Sequence, residues 1–343
     1  MIKKVILAVL AVIVLAAVVG AAAVMRFVST AAGTAGDSPS HTLFAVDRGE
    51  SFSSVARRLS AEGFVEHPRA FKIYAWARRY DRRIKAGIYR ITRIETPRDI
   101  LDRLVVGDIH KVDVTVPEGY MHVEIARALA ADTHIDSTAF ANLFEDPEAL
   151  EILAVEGPNL EGYLFPDTYS VPWGISVLDV AGMMVRRLDE VFDADMRVRA
   201  RAIGLSRHEV LTLASIVQAE TRLPKELPLV SAVYHNRLRR GMRLEADPTV
   251  AYAKGGYRGR LYFKDLEIES PYNTYRYGGL PPGPICAAGK AAIHATLYPD
   301  SACKAIYFVA EGNGGHIFSL TLKDHLAAVR RVRASKARIT DDD

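Results

Sequence analysis

The sequence predicts an α+β protein: a single apolar N-terminal helix, a small α+β subdomain, and a mixed α/β domain with an irregular groove. Three observations lead to this prediction. An uncharged apolar run covers residues 5–25, and short strand-like and helical segments alternate up to about residue 138. Longer amphipathic helices then surround one stretch rich in Pro, Gly, Tyr and Asn. With 343 residues, 49% of them hydrophobic, the chain can bury more than one core.

The apolar run at residues 5–25 is long enough to cross a bilayer, because it spans ~30 Å as a helix. A cleaved signal peptide is the alternative, but its apolar region has only ~7–15 residues. We therefore predict a single-pass anchor over residues 1–28. Two lysines precede the run and only Arg26 follows it directly, which predicts a cytoplasmic N-terminus and places the rest of the chain on the periplasmic side of the inner membrane.

Residues 29–40 are rich in Ala, Gly, Ser and Thr and predict a flexible linker. A weak repeat follows, in which short helices begin near Ser51, Thr96 and Met121. Strand-like segments lie at residues 43–46, 87–91 and 112–116. We assign residues 41–138 to a subdomain that resembles LysM domains, which bind N-acetylated glycans. A packing domain without a ligand is an equal alternative.

The net charge of only +3 is too small to indicate nucleic-acid binding, and it excludes no other class of function. The basic run Arg78, Arg79, Arg82, Arg83 and Lys85 is typical of a solvated helix face, with anionic lipid or polymer as the lesser alternative. Two cysteines, Cys286 and Cys303, would lie in an oxidising space and could pair, although their spacing does not decide this.

Residues 139–335 form the predicted catalytic domain, and residues 336–343 a tail. Helices are predicted at 177–192, from the capping box at Ser206 to about Thr221, and at 227–240. A hairpin is predicted from strands at 306–309 and 316–319. Between them, the Pro- and Gly-rich stretch predicts a fixed loop that lines a groove.

Glu220 lies where the amphipathic pattern of its helix would place an apolar residue. It follows Val210, Leu213 and Val217 at 3-4-3 spacing. A carboxyl in apolar surroundings keeps its proton near neutral pH and can act as a general acid. On spacing alone, a solvent-exposed helix-end glutamate is equally compatible.

No motif for metal, phosphate or dinucleotide chemistry is present, so the sequence predicts neither a metal site nor a cofactor. His208-Glu209 lacks the second histidine of a zinc peptidase. His316 and His325 could orient a substrate, although hydrogen-bonded structural histidines are more common.

An acid beside aromatic and polar groups suits glycosidic bond cleavage, in which the acid protonates the leaving oxygen. Tyr163, Phe165, Tyr272 and Tyr275 could stack on sugars, and Asn273 could bind an acetamido group.

A hydrolase would also need a second carboxylate. The side chain two residues before Glu220 is Gln218, which cannot ionise. Asp247, Asp167 and Glu161 are the other candidates, although Asp247 precedes Pro248 and is predicted as a turn residue.

Seven motifs resemble, in order, those of the YceG-like endolytic murein transglycosylases. They are EGYLFPDT (161–168), ASIVQAET (214–221), NRLRRGMRL (236–244), DPTVAY (247–252), YNTY (272–275), GLPPG (279–283) and YFVAEGNGGH (307–316). The resemblance implies that Glu220 is the catalytic residue. Many members carry a second glutamate where this chain has Gln218, which puts a role for that position in doubt. Our candidate substrate-binding residues are Gln218, Asn236, Asp247, Tyr272, Asn273, Tyr275, Glu161, Asp167 and His316.

The resemblance also implies a carbon–oxygen lyase that needs one carboxyl group. That group protonates the leaving sugar and then accepts the proton of the muramic-acid C6 hydroxyl, which closes a 1,6-anhydro ring. The implied partners are peptidoglycan strands, peptidoglycan synthases and the inner membrane, with strand termination as the role. The alternatives are a muramidase and a non-catalytic glycan-binding scaffold for the synthases.

Overall fold

The computed structural model describes residues 2–33, 41–256, 259, 261–312 and 314–341. Its internal contacts divide the chain into two compact units. Unit 1 comprises Met1–Val112 and Ser170–Gly174, and unit 2 comprises Asp113–Tyr169 and Ile175–Asp343. The sequence-based boundary between residues 138 and 139, and the likeness of the first subdomain to LysM domains, stay predictions.

Unit 1 is an α+β fold, as the sequence predicted. Its elements are α1 (Ile2–Val28), β1 (Thr42–Val46), α2 (Phe52–Ala61), α3 (Pro68–Ala77), β2 (Gly87–Ile91) and α4 (Pro97–Val106). The strand β3 (Lys111–Thr115) begins in this unit and continues into unit 2. β1 and β2 pair antiparallel with Phe44 opposite Tyr89, and both side chains are buried in the core of the unit.

Local capping explains where the helices of the repeat begin. The Ser51 hydroxyl accepts a hydrogen bond from the Ser54 amide at the start of α2. At α4, Thr96 and Asp99 form a capping box, and Gly107 ends the helix at φ 80°, a conformation that favours glycine. The predicted helices near Ser51 and Thr96 are therefore confirmed.

The first helix, α1, is long and apolar enough to cross a membrane by length and composition. Its last turn belongs to the hydrophobic core of unit 1, where Val28 is 1% exposed and Val24 packs against the same cluster. The Phe27 ring lies 4.1 Å from that of His67, just before α3. Of the predicted linker, residues 29–33 follow α1 directly, and residues 34–40 lie outside the described residues.

Unit 2 is mostly helical and contains one β-hairpin. Its helices are α5 (His122–Asp132), α6 (Ser137–Leu143), α7 (Pro147–Ile152), α8 (Val177–Val191), α9 (Ala194–Ala202), α10 (Arg207–Glu220), α11 (Leu227–Arg239), α12 (Asp247–Ala253), α13 (Lys290–Leu297) and α14 (Leu322–Asp341). The strands β5 (Tyr307–Ala310) and β6 (His316–Ser319) complete the unit, whereas β4 (Thr168–Pro172) begins in unit 2 and continues into unit 1. β3 pairs with β4, and β5 pairs antiparallel with β6. The helices α10, α11 and α13 pack against one another and form the centre of the unit.

The structure corrects one local prediction and adds elements that the sequence did not reveal. Asp247 begins the short helix α12 and is not a turn residue, because Pro248 suits the first turn of a helix. The helices α3, α6, α7, α9 and α13 and the strand β4 were not predicted. Cys286 and Cys303, both within the described chain, are not joined by a disulfide.

Candidate active site

Glu220 is the last residue of α10, a helix whose start is fixed by the capping box of Ser206 and Glu209. The preceding Ile216 and Val217 are completely buried, whereas Glu220 itself is half-buried. Its Oε1 accepts a hydrogen bond of 2.6 Å from the Tyr234 hydroxyl. The carboxyl group therefore has one oxygen held by the protein.

The surroundings of Glu220 favour its protonated form. Burial raises the pKa of Glu220 to about 7, and the negative charge of Asp247 acts in the same direction. The hydrogen bond from Tyr234 and the positive charge of Arg237 lower the pKa, but less than burial raises it. A carboxyl group with this pKa can both donate and accept a proton near neutral pH.

Tyr234 is a site residue that the sequence did not reveal. It lies on α11 with 1% of its surface exposed, and its ring meets the Phe308 ring edge-on at 5.8 Å. Burial and the neighbouring Glu220 raise the pKa of Tyr234 well above its ordinary value, so its hydroxyl stays protonated and can donate. No sequence signal could have found it, because the pair forms only when α10 and α11 pack together.

A second pair, formed by a tyrosine and a carboxylate, lies close enough for the charge of the carboxylate to act on Glu220. The Tyr275 hydroxyl donates a 2.7 Å hydrogen bond to Oδ1 of the exposed Asp247. Burial, followed by that bond and the charges of Asp247 and Glu220, raises the pKa of Tyr275. The structure thus brings together three predicted site residues, namely Glu220, Asp247 and Tyr275.

Arg237 connects α11 with the segments around this site. It is 8% exposed and donates to the carbonyl oxygens of Ile306 (2.7 Å) and Leu244 (2.8 Å). Its guanidinium also pairs with Glu245 at 3.0 Å. These bonds fix the segment before α12 and the start of β5 relative to the helix that carries Tyr234.

Asn273 shapes the loop that carries Tyr275. Its side chain is fully buried, and its Nδ2 donates to the carbonyl oxygens of Leu266 (2.9 Å) and Ile268 (2.8 Å). Its Oδ1 accepts from the Tyr275 amide at 3.0 Å. Because both amide hydrogens are used within the loop, this geometry favours a structural role over the expected contact with an acetamido group.

Two other predicted amide residues also bind backbone groups. Asn236 donates from Nδ2 to the carbonyl oxygens of Cys303 (3.1 Å) and Ala305 (2.8 Å) and accepts from Arg239. Gln218 accepts from the Gly289 amide at 3.0 Å, which ties α10 to the start of α13.

The predicted carboxylates Glu161 and Asp167 have other partners. Glu161 is 1% exposed and pairs with His122 Nδ1 at 2.7 Å. Asp167 accepts from Arg187 Nε at 2.7 Å, and this bond holds the pKa of Asp167 below its ordinary value. Neither carboxylate is bonded to Glu220, Tyr234 or Tyr275 among the described contacts.

The aromatic residues proposed for sugar stacking divide into two groups. Tyr163 and Phe165 are buried in the core, so neither ring offers a free face to a sugar. Tyr272 is half-buried with its ring 4.8 Å from that of Tyr252, and Tyr275 is half-buried beside Asp247.

His316 forms a buried pair with Glu226, one of the residues that the sequence did not reveal. The Glu226 carboxylate accepts from His316 Nδ1 (2.7 Å) and from the His316 amide (3.1 Å). Burial raises the pKa of Glu226, but these bonds outweigh it and the net shift is downward. The Thr221 hydroxyl also points to Glu226, at 3.5 Å, which places the pair next to the end of α10.

The part of the chain that the structure describes contains no cluster of metal ligands. There, no group of three or more His, Cys, Asp or Glu side chains is arranged to hold a metal ion. The arrangement offers one carboxyl group whose pKa is raised to about 7, a carboxylate whose charge acts on it, and a tyrosine hydroxyl bonded to each.

Comparisons with known proteins give this geometry a family. The model of the YceG-like family matches residues 44–331. A protein of Bacillus subtilis (strain 168) named endolytic murein transglycosylase is 32% identical over 312 residues, covering 85% of this chain and 84% of that protein. A protein of the same name from Streptococcus pneumoniae (strain D39) is 26% identical. That match covers 82% of this chain and 56% of the relative.

A solved structure agrees with these matches. The crystal structure of a yceG-like protein from Listeria monocytogenes has a TM-score of 0.59 and 29% sequence identity, covering 85% of this chain and all of that one. Since the family match spans most of the chain and a relative is matched over most of its own length, this chain belongs to the YceG-like family.

Proposed function

We propose that this chain is a membrane-anchored endolytic lytic transglycosylase that cleaves the MurNAc–GlcNAc bond of peptidoglycan and leaves a 1,6-anhydroMurNAc end. One observation carries the proposal. Glu220 is a half-buried carboxyl group, bonded to Tyr234 and with a pKa of about 7, in a family whose relatives are named endolytic murein transglycosylases.

The proposed reaction uses Glu220 twice. As an acid, it gives its proton to the glycosidic oxygen while the bond from that oxygen to C1 of MurNAc breaks. As a carboxylate, it then takes the proton of the C6 hydroxyl while O6 bonds to C1 and closes the anhydro ring. The proton balance returns Glu220 to its starting form, so neither water nor a second carboxylate is consumed.

Among the other candidate residues, we assign direct substrate contacts to those whose side chains are at least partly exposed. Asp247, Tyr272 and Tyr275 have surface available to a glycan, and Gln218, two residues before Glu220 on α10, is half-buried. Asn236, Asn273, Glu161, Asp167 and His316 form bonds within the protein and would act on the substrate by holding the site in shape.

The proposed location and role follow from α1 and from the family. As a single-pass anchor with a cytoplasmic N-terminus, α1 would keep the enzyme at the periplasmic face of the inner membrane. There, internal cleavage of nascent strands would end their elongation beside peptidoglycan synthases.

The test is mass spectrometry of glycan strands digested by the full chain in detergent micelles. Glu220→Gln is nearly isosteric and keeps an acceptor for Tyr234, so we expect it to fold and to lose cleavage at least a hundredfold. Glu190→Gln makes the same chemical change on an exposed side chain of unit 2 and should cleave normally. The wild type should yield anhydro ends, which are one water lighter than reducing ends.

Two results would contradict the proposal. Reducing ends from the wild type would indicate a muramidase, with Asp247 as the first candidate for the second carboxylate because its charge acts on Glu220. Binding of long uncapped strands without cleavage would indicate a glycan-binding scaffold.

A further inference from the structure

One helix of unit 1, α3, presents a surface that combines apolar and cationic side chains. Arg69, Ile73 and Trp76 are exposed at positions i, i+4 and i+7, so they share one face of the helix. Trp76 is 73% exposed and Ile73 is 55% exposed, whereas Phe71 on the opposite face is completely buried. Large apolar side chains this accessible mark interaction sites more often than scattered surface residues do.

The cationic part follows α3 directly. Arg78, Arg79, Arg82 and Arg83 are all exposed, and none takes part in a salt bridge among the described residues. Two of them flank one ring, since the guanidinium carbons of Arg78 and Arg83 lie 5.8 and 5.5 Å from the centroid of Tyr80. Arg78 and Arg83 are therefore oriented by the protein without being neutralised by it.

We call these seven side chains the α3 surface: Arg69, Ile73, Trp76, Arg78, Arg79, Arg82 and Arg83.

The position of α1 brings this surface to the edge of a bilayer. α1 packs directly on α3, and Val24 and Val28 join the same core as Phe71. The apolar run ends at Met25, so Val28 lies only ~4–5 Å farther along the helix. A headgroup layer is roughly 5–8 Å deep on each side of the hydrocarbon, so a unit that packs on Val24 and Val28 lies at headgroup level.

We propose that the α3 surface binds the anionic phospholipid headgroups of the outer face of the membrane that α1 spans. Trp76 and Ile73 enter the interfacial layer, where tryptophan is favoured. The arginines, which form no salt bridge within the described chain, contact lipid phosphates. A guanidinium group suits this contact because it is planar and can donate two parallel hydrogen bonds to one phosphate. This inference rests on the membrane anchor of the proposed function, and it makes unit 1 a membrane-bound body with two points of attachment.

The test uses the full chain in vesicles and follows Trp76. The chain has only two tryptophans, so Trp173→Phe leaves Trp76 as the single fluorophore. With brominated lipids, we expect Trp76 to be quenched most strongly by bromines placed near the headgroups. Adding phosphatidylglycerol to phosphatidylcholine should increase the quenching about twofold, and high salt should reverse the increase.

Matched variants separate the arginines from charge in general. Arg78→Gln, Arg82→Gln and Arg83→Gln together should abolish the effect of phosphatidylglycerol. Arg48→Gln, Arg57→Gln and Arg98→Gln together remove three exposed arginines elsewhere in unit 1 and should leave the effect intact.

Carbonate extraction distinguishes failure of the anchor from failure of the surface. A chain that is extracted from the vesicles would overturn the anchor and this proposal together. A chain that stays inserted with Trp76 unquenched would overturn the α3 surface alone. Trp76 lines an open depression of ≈ 610 Å³ with Asp47 and Glu50; fluorescence that responds to glycan strands and not to lipid would assign the surface to glycan instead.

Discussion

Glu220 owes its properties to a few opposed contributions. Burial and the charge of Asp247 favour the neutral acid, whereas Tyr234 and Arg237 favour the carboxylate. The resulting pKa of about 7 lies near the pH at which the group must both give and take a proton. Small changes in any neighbour should therefore be visible in the pH dependence of the reaction.

Two substitutions should move that pH dependence in opposite directions. In the proposed reaction the first step needs protonated Glu220, so activity should fall as pH rises through its pKa. Tyr234→Phe removes a bond that lowers the pKa, so the fall should move to higher pH. Asp247→Asn removes a charge that raises the pKa, so the fall should move to lower pH. Initial rates of strand cleavage between pH 5 and 9 would measure both shifts.

Tyr252→Phe is the control for these profiles, because Tyr252 is a half-buried tyrosine of unit 2 that packs on Tyr272 and has no described bond to Glu220. It should leave the shape of the profile unchanged. If Tyr234→Phe and Asp247→Asn shifted the profile in the same direction, the assignment of Glu220 as the titrating acid would be wrong.

The same pKa predicts a pH-dependent effect on stability. The pKa of folded Glu220, about 7, lies above its ordinary value of 4.5, so stability is lost as pH rises through this interval. Glu220→Gln cannot ionise and should avoid that loss. Its melting temperature should exceed that of the wild type by roughly 2–8 °C at pH 8 and match it near pH 4.5. Calorimetry at both pH values would decide, and an equal difference at both would contradict the prediction.

Sequence periodicity located Glu220 but not its partners. The 3-4-3 spacing on one helix places the carboxyl correctly, because the helix repeat is local. Tyr234 is 14 residues away and Glu226 meets His316 across 90 residues, so both contacts depend on tertiary packing. Asn273 and Asn236 were predicted as substrate-binding residues, and the sequence did not reveal that their amides bind the backbone.

Helices and strands, like the site residues, were predictable where the signal is local and were not where the outcome depends on tertiary packing. The capped helices α2, α4 and α10 and the hairpin β5–β6 were predicted because caps and turns are encoded within a few residues. The segment around Asp247 was expected to be irregular because it begins with Asp-Pro, which serves turns and helix starts alike. Only its packing decides between the two.

The loop that carries Tyr275 should depend on a single amide. Asn273→Ala would leave the carbonyl oxygens of Leu266 and Ile268 and the Tyr275 amide without their side-chain partner. Losing these buried bonds should lower the free energy of unfolding by about 2–4 kcal/mol. It should also reduce cleavage, because Tyr275 loses its support. Urea unfolding and cleavage rates would measure both effects.

The neighbouring Glu269 provides the comparison. Its side chain is 80% exposed in the same loop, so Glu269→Ala should change the free energy of unfolding by less than about 0.5 kcal/mol. Equal effects of the two substitutions would show that Asn273 does not hold the loop.

For the whole molecule, composition predicted an apolar N-terminal helix but not that the end of this helix packs into the core of unit 1. The Ala-, Gly- and Ser-rich residues after it suggested that a flexible linker separates the anchor from the folded part. The structure instead makes Val28 a member of the core of unit 1. A lipid-facing helix and a core helix are both apolar, so hydropathy alone could not show that one helix serves both purposes.

Removing this packing should destabilise unit 1. Val28→Ala in the full chain should lower the free energy of unfolding by about 1–3 kcal/mol, because it opens a cavity in a core position. Val18→Ala, at a position 59% exposed on the same helix, should have little effect. Both tryptophans belong to unit 1, so their fluorescence during urea unfolding in detergent reports this unit. No difference between the two variants would mean that the end of α1 does not stabilise unit 1.

As the proposed anchor, α1 would run unbroken from the bilayer into the folded core of unit 1, which would fix the rotation of the helix about its own axis relative to that unit. Each residue inserted between Met25 and Val28 would turn the membrane-embedded part by ~100° and lift it by ~1.5 Å relative to unit 1. An insertion there would therefore change which side chains the helix presents to neighbouring membrane proteins. In a flexible linker the same insertion would be silent, whereas with α1 as the proposed anchor the number of residues between the membrane and the core would set the rotation of the helix.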